Sequence, residues 1–315
     1  MLGFGSYNYG RFTCDILRES EDGAPFLGPE PGERAPDFKA TTLQGESVRL
    51  SDYAGRKNVL LVFGSATCPM TAGSIKGLNH LYGMFQGDDV EFLFVYVREA
   101  HPGERIGAHL SEDEKSRAAH LLYEDEEIAM PVIVDDLRGS IHRKYSKLPN
   151  PAFLIDKSGS VAFRGKWAKP YVLREALEEL LQHQHEHGDS HKIVHGGQDL
   201  AMPLSYAAVY SFRALERGGR QALDDFREAV GMARRHRPKD VEEEAEDARR
   251  VPLIEHPGRV IAIGALTAAV LAGGLYAGFE LRKRRLGLRR NPYRAYEKDE
   301  VRDTETGTDY GAVGI

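Results

Sequence analysis

Val59-Leu60-Leu61-Val62-Phe63-Gly64-Ser65-Ala66-Thr67-Cys68-Pro69-Met70 is the stretch on which the fold turns. The unbroken apolar run over 59–63 predicts a strand buried on both faces, because a half-exposed strand would alternate. From Met70 to about Phe85 the spacing becomes helical, with Ile75, Leu78, Leu81, Tyr82 and Phe85 on one side. Cys68 therefore falls where a buried strand hands over to a helix. Unpaired N–H groups and the positive end of the helix dipole favour an anion there, and such a position can lower a thiol pKa. Pro69 suits the first turn, where its missing N–H costs nothing. Ser65 and Thr67 offer hydroxyl donors to a thiolate or to a substrate oxygen or halogen. The plain alternative is a buried structural cysteine.

Outward from this junction the pattern repeats. A strand is predicted over 92–97 and a helix from a capping-box-like start at Ser111 to Leu122. A strand over 131–134 follows, then a short helix ending near Tyr145. Strands over 152–155 and 161–163 flank the turn Asp156-Lys157-Ser158-Gly159, and a helix over 171–181 closes the unit. This order predicts an α/β thioredoxin-like fold, a central mixed sheet flanked by helices, with an added helical C-terminal region and a single transmembrane helix. The organisation reads as an irregular arm over 1–31, the thioredoxin-like domain over 32–182 and a His-rich linker over 183–203. A helical, charged spacer over 204–256, a membrane span over 257–281 and a basic, then disordered tail over 282–315 complete it.

The totals narrow the function. Among 315 residues, 42 Lys and Arg are mixed with 48 Asp and Glu for a net charge of −6, which sets nucleic-acid binding aside. Two cysteines, Cys14 and Cys68, exclude a disulfide framework and a cysteine-rich zinc site, and suit a reducing compartment. Thr71 stands three residues after Cys68, so the Cys-x-x-Cys dithiol is absent. A second thiol must come from Cys14 as a resolving cysteine, from another subunit, or from an external thiol reductant; an idle Cys14 is the simpler account. No cofactor and no metal site is expected. His183, His185, His187, His191 and His195 read as a solvated linker rather than a metal site.

The segment from Gly32 to Leu181 resembles the redoxin superfamily, and within it the iodothyronine deiodinases. Phe63-Gly64-Ser65-Ala66-Thr67-Cys68-Pro69 is similar to the deiodinase run around selenocysteine, and Val95-Tyr96-Val97-Arg98-Glu99-Ala100-His101 to its signature ending in Glu-Ala-His. His109, Arg117-Ala118-Ala119, Tyr145 and Leu148-Pro149 follow in the family's order. The resemblance implies Cys68 as nucleophile, Glu99 and His101 in proton delivery and substrate orientation, and His109 and Pro151 at the substrate. Independently of the family, His101 follows a buried strand at the end of the sheet where Cys68 lies, the usual place for α/β sites, and an imidazole there could steady a thiolate and supply a proton. Cysteine replaces selenocysteine, and Ala66 replaces a neighbouring cysteine. Pro151 takes a slot that is a cis-proline in thioredoxins, so a cis bond is expected there. The peroxiredoxin motif is half present: Ser65 fits, but Leu61 stands in place of its proline.

The expected activity is a deiodinase-like, thiol-dependent reduction of a peroxide, disulfide or carbon–halogen bond, with an external thiol restoring Cys68. A one-cysteine peroxidase and a non-catalytic, membrane-tethered redox sensor or binding module are the alternatives. The twenty uncharged residues 260–279 are long enough to span a bilayer, and Gly274-x-x-x-Gly278 would let two copies associate as a homodimer. The basic cluster over 282–290 favours a cytoplasmic tail, whereas the start of the chain, without a secretory pattern, favours a cytoplasmic enzyme domain. The second reading is adopted.

Overall fold

The computed structural model describes residues 7–20, 27–85, 87, 89–189, 191–194 and 204–235. The chain divides into Met1–Leu266 and Thr267–Ile315; the second unit, the whole of the expected span over 257–281 and the tail lie outside the described residues. Among the described residues no helix is long and apolar enough to cross a membrane.

The first helix, α1 (Cys14–Ser20), lies within the N-terminal arm. A small antiparallel pair, β1 (Lys39–Thr41) and β2 (Ser47–Arg49), precedes the main sheet. Then come β3 (Asn58–Gly64), α2 (Pro69–Phe85), β4 (Val90–Tyr96), α3 (Glu112–Asp125), β5 (Val132–Val134) and the single turn α4 (His142–Tyr145). The hairpin β6 (Ala152–Ile155) and β7 (Val161–Gly165) leads into α5 (Pro170–His187). Two further helices, α6 (Leu204–Gly218) and α7 (Arg220–Arg235), form a hairpin. The sheet runs β5-β4-β3-β6-β7. Strands β3, β4 and β5 are parallel, and β6 and β7 are antiparallel to their neighbours. The mixed thioredoxin-like sheet is thus as the sequence predicts.

Every residue of β3 is buried, as its continuous apolar run requires. Alternate residues feed two cores: Leu60, Val62, Phe92, Phe94 and Leu154 pack on one face, and Val59, Leu61, Phe63, Leu93 and Phe153 on the other. The helix start at Ser111 forms as expected, with the serine hydroxyl accepting from Glu114 N at 3.2 Å and the Glu114 carboxylate accepting from Leu110 N at 2.8 Å. In the β6–β7 turn, Gly159 takes φ +83°, a conformation most side chains resist.

Three expectations need correction. Helix α5 does not stop at Leu181. It carries His183, His185 and His187 in its last turns, held by a Gln182–Glu186 bond of 2.9 Å and by reciprocal amide bonds between buried Gln184 and Asn58, and it ends at Gly188 with φ +74°. The linker therefore begins after this glycine. His191 beyond it donates to Asp156, and His195 lies outside the described residues. Second, no described peptide bond is cis. Pro151 is trans, its carbonyl accepting from Phe63 N at 3.0 Å while the Asn150 side chain donates to Phe63 O at 2.8 Å, so the ordinary isomer already satisfies the β3 edge. Third, α6 and α7 are not a free spacer, and the arm is not irregular throughout. Helix α6 packs along α2, and α1 packs on α7. This explains why α2 is buried on Ala72, Gly73 and Ser74 as well as on its predicted apolar side.

Candidate active site

Cys68 ends the loop that joins β3 to α2. Its backbone carbonyl accepts the helical bond from Ala72 N at 3.1 Å. Around it lie Met70, Ala100 and Trp167, and only 1% of the residue is exposed. Burial pushes the thiol pKa up. Hydrogen bonds to the sulfur from the Thr71 hydroxyl and from the N–H groups of Thr71 and Met70 pull the other way, and the Glu99 charge adds to the rise. The helix start thus offers the anion-stabilising donors that the sequence implies, but in this closed arrangement desolvation outweighs them. The expected fall in thiol pKa is not what the structure displays.

Thr71 is the residue that sequence reasoning missed. Its Oγ1 accepts from Ser65 N at 3.3 Å while its hydroxyl is directed to Cys68. The signal was available: a hydroxyl three residues after the cysteine, in the first helical turn, lies directly over it. Thr71→Val is expected to slow iodoacetamide labelling of Cys68 by about tenfold near neutral pH, since a hydrogen bond to a charged group contributes about 1.5–3 kcal/mol. An unchanged rate would mean that the hydroxyl does not stabilise the thiolate.

Ser65 and Thr67 are placed differently from expectation. Ser65 Oγ accepts from Ala100 N at 3.1 Å, tying the cysteine loop to the segment after β4. Thr67 Oγ1 donates to Glu99 Oε2 at 2.6 Å and accepts from His101 N at 3.0 Å. Both hydroxyls therefore shape the loop, and Thr71 takes the role of thiol donor.

Glu99 is the hub. Its Oε2 also accepts from Thr67 N at 2.9 Å, and its Oε1 accepts from Tyr96 OH and from His109 Nε2 at 3.1 Å. Burial would raise its pKa, but the donors from His109, Thr67 and Tyr96 hold it below the usual carboxylate range. It is a buried, ionised acceptor. His109, 5% exposed, keeps a proton on Nε2 for it.

His101 is held in an apolar slot. Its ring centroid lies 4.2 Å from that of Phe12 in the arm and 5.3 Å from that of Phe226 in α7. Its Nδ1 is buried and has no hydrogen-bond partner among the described residues. Burial pulls its pKa down to about 3, against a weaker pull upward from Glu99, so the ring is neutral at physiological pH. Tyr9, also from the arm, donates to Ala100 O at 2.8 Å, and its phenol pKa is raised by burial and by the nearby Cys68 and Glu99. Arg98 donates to Tyr7 O at 2.6 Å and sits over both the Tyr7 and Tyr9 rings. Cys14, the other free thiol, is buried with Phe12 and Ala229 in a separate apolar cluster.

A buried parallel strand that delivers one cysteine to a helix start, in a mixed five-stranded sheet, defines a thioredoxin-fold redoxin. An AhpC/TSA family model matches residues 31–164. The thiol-disulfide oxidoreductase ResA of Bacillus thuringiensis subsp. konkukian is 30% identical over 154 residues, covering 49% of this chain and 78% of ResA. Thyroxine 5-deiodinase of Rattus norvegicus is 26% identical over 162 residues, 48% of this chain and 49% of that protein. A solved putative protein disulfide isomerase from Bacteroides thetaiotaomicron aligns with a TM-score of 0.42 and 19% identity, over 53% of this chain and 100% of that one. The chain belongs to the AhpC/TSA redoxin family. The arm over 7–20 and the α6–α7 hairpin both lie outside the matched segment.

Proposed function

We propose that this chain is a thiol-dependent oxidoreductase with Cys68 as its single nucleophile, acting in a deiodinase-like manner on a small electrophile. The observation that supports this most is the place of Cys68 between buried β3 and the start of α2, with Thr71 bonded to the Ser65 N–H and Ser65 bonded to Ala100 beside it. The ResA and deiodinase likenesses, together with the Glu99-Ala100-His101 run beside the cysteine, support it further.

In the proposed cycle the Cys68 thiolate attacks one sulfur of a disulfide, forms a mixed disulfide and releases the other sulfur as a thiolate. With a peroxide it attacks an oxygen, becomes a sulfenic acid and expels an alkoxide or hydroxide that takes up a proton. With an aryl iodide it takes the iodine, and the aryl carbon takes up a proton. In each case an external thiol reduces the sulfur and is itself oxidised. A neutral His101 is a weak acid for those protons, so protonation falls to solvent or to His101 once hydrated. The apolar run over 260–279 would anchor the enzyme to a membrane, with the redoxin domain facing the cytoplasm.

The test is turnover of a peroxide, a disulfide and an iodothyronine with dithiothreitol as reductant. Cys68→Ser is expected to lose at least about a hundredfold on whichever substrate is turned over, whereas Cys14→Ser keeps most of the activity. An equal loss in both variants would replace the single-cysteine cycle by a two-cysteine one. No turnover of any of the three substrates by the native chain would leave the redox-sensor or binding-module reading, and full activity in Cys68→Ser would remove Cys68 as the nucleophile.

A further inference from the structure

Cys68 is enclosed first by Met70, Ala100 and Trp167 of the redoxin domain, and the arm and the hairpin add a second layer over Ala100 and His101. The arm brings Phe12 onto one side of the His101 ring and Tyr9 onto the Ala100 carbonyl. The hairpin brings Phe226 to another edge of the same ring. Its turn is seated against the cysteine loop and the segment after β4. Arg217 donates to Ala66 O at 3.1 Å, and Arg105 N donates to Gly218 O at 3.0 Å. The Glu104 carboxylate accepts from Arg220 N at 2.6 Å and Gln221 N at 2.8 Å, capping α7 from the redoxin side. A Cβ at Gly218 would lie 2.7 Å from His101 O and 3.3 Å from the Thr67 methyl, so only glycine permits this approach. Arm and hairpin are joined to each other by Arg11 and buried Asp225, and by the cluster of Phe12, Cys14 and Ala229.

We infer that the arm and the α6–α7 hairpin form a gate over Cys68 that selects electrophiles by size. Small ones reach the sulfur through slight loosening, and bulky ones only when the hairpin lifts. The character of the contacts fits a part that moves as a unit. On the redoxin side they are helix α2, along which α6 packs, the Glu104, Asp125 and Glu126 carboxylates, a few carbonyls and the His101 ring, rather than strands of the sheet. The polar groups they release find water when the gate opens, and the sheet is left whole. The buried, unpartnered Nδ1 of His101 marks the cost of the closed state, because opening lets water reach it. Cys14 lies within the cover, between the arm and the hairpin, so its labelling reports whether the two stay joined while Cys68 opens.

The experiment labels the native full-length chain with iodoacetamide and, separately, with a maleimide carrying a long polyethylene glycol chain, and reads each cysteine by mass spectrometry. Each rate is divided by the rate for the chain unfolded in urea. For Cys68 the bulky reagent is expected to be slowed at least about tenfold more than the small one. In low urea, below the global transition, bulky labelling of Cys68 is expected to rise with a weaker urea dependence than unfolding, while Cys14 stays slow because the arm and the hairpin lift together. Gly218→Val, which wedges the turn, and Glu104→Gln, which weakens the cap at an exposed position, are expected to abolish the discrimination while the far-UV spectrum is kept. Three results would overturn the gate. They are equal slowing of both reagents, bulky labelling of Cys68 that appears only at the global unfolding midpoint, or undiminished discrimination in a variant whose amide exchange over 204–235 has become fast. Labelling requires no turnover, so the gate and the oxidoreductase reading can fail separately.

Discussion

Lowering the pH from 7 to 5 is expected to cost the folded chain roughly 3–4 kcal/mol of stability, through two histidines that the fold keeps neutral. His101 is pressed between Phe12 and Phe226, and His142 is fully buried beside Phe63. Burial pulls both imidazoles down to a pKa of about 3. Glu99 pulls His101 back slightly. Arg98 and Lys115 push His142 further down, against the Leu148 carbonyl that accepts from its Nε2 at 2.8 Å. The remaining nitrogen, Nδ1, accepts from Tyr7 OH at 2.9 Å, so the neutral ring is fully satisfied.

The sign follows from the folded values lying below the unfolded one of about 6.5. Between about pH 6.5 and pH 3 the unfolded chain binds protons that the folded chain refuses, so stability falls as the pH falls through that window. Each histidine contributes roughly 2 kcal/mol between pH 7 and pH 5, at a limiting slope of about 1.4 kcal/mol per pH unit. Asp135 acts in the opposite sense. Its pKa is raised, chiefly by burial, so its protonation favours the folded state and offsets part of the loss towards the acid end. Urea unfolding at the two pH values measures the difference. His101→Phe, which puts an apolar ring into a slot already lined by phenylalanines, should remove about half of the pH dependence. A stability that is flat from pH 7 to pH 5 would mean that these rings are hydrated in solution.

The pattern of what could be read in advance has a physical basis. The β3 run, the helix start at Cys68, the Ser111 cap and the Asp156–Gly159 turn are encoded within a few residues, by periodicity and by local hydrogen bonding, and all four appear in the structure. Cys68, Glu99, His101 and His109 are also brought to one end of the sheet, as the parallel order of β3 and β4 demands. The environment of each group was not legible. Whether a histidine is a solvated acid or a ring clamped between two phenylalanines depends on residues far apart in the chain: Phe12, His101 and Phe226 belong to three segments that no local pattern connects. Helix α6 has an apolar face visible in the sequence, but not the identity of the surface that covers it. The expectation of a lowered thiol pKa meets burial, which pushes the thiol up, for the same reason. The helix start that lowers a cysteine pKa is visible in the sequence, whereas the burial that raises it comes from Met70 together with distant Ala100 and Trp167. For the Glu99 carboxylate the donors turned out to come from three places, the cysteine loop, the end of β4 and the segment before α3.

That convergence makes Glu99→Ala the most damaging single change expected at the site, with a loss of about 3–5 kcal/mol. The carboxylate is 3% exposed and accepts from Thr67 N, Thr67 Oγ1, Tyr96 OH and His109 Nε2. Alanine would leave all four donors buried without an acceptor, in a space too enclosed for each to find water, and an orphaned donor costs about 1–3 kcal/mol. Glu99→Gln preserves the volume and one acceptor oxygen, but its amide points two hydrogens at groups that themselves donate. It should fall between the native chain and the alanine variant. A double-mutant cycle with His109→Ala isolates that pair, with an expected coupling of about 1–3 kcal/mol. The native contribution is present above a pH of about 4.3, where the carboxyl is ionised in both states, and is lost as the pH falls through the lowered folded value. Guanidinium unfolding of the three variants decides between two roles for the residue. If Glu99 is a strut, stability and labelling of the Cys68 loop change together. If it is a proton relay that the fold barely needs, Glu99→Ala stays within about 1 kcal/mol of the native chain while turnover collapses.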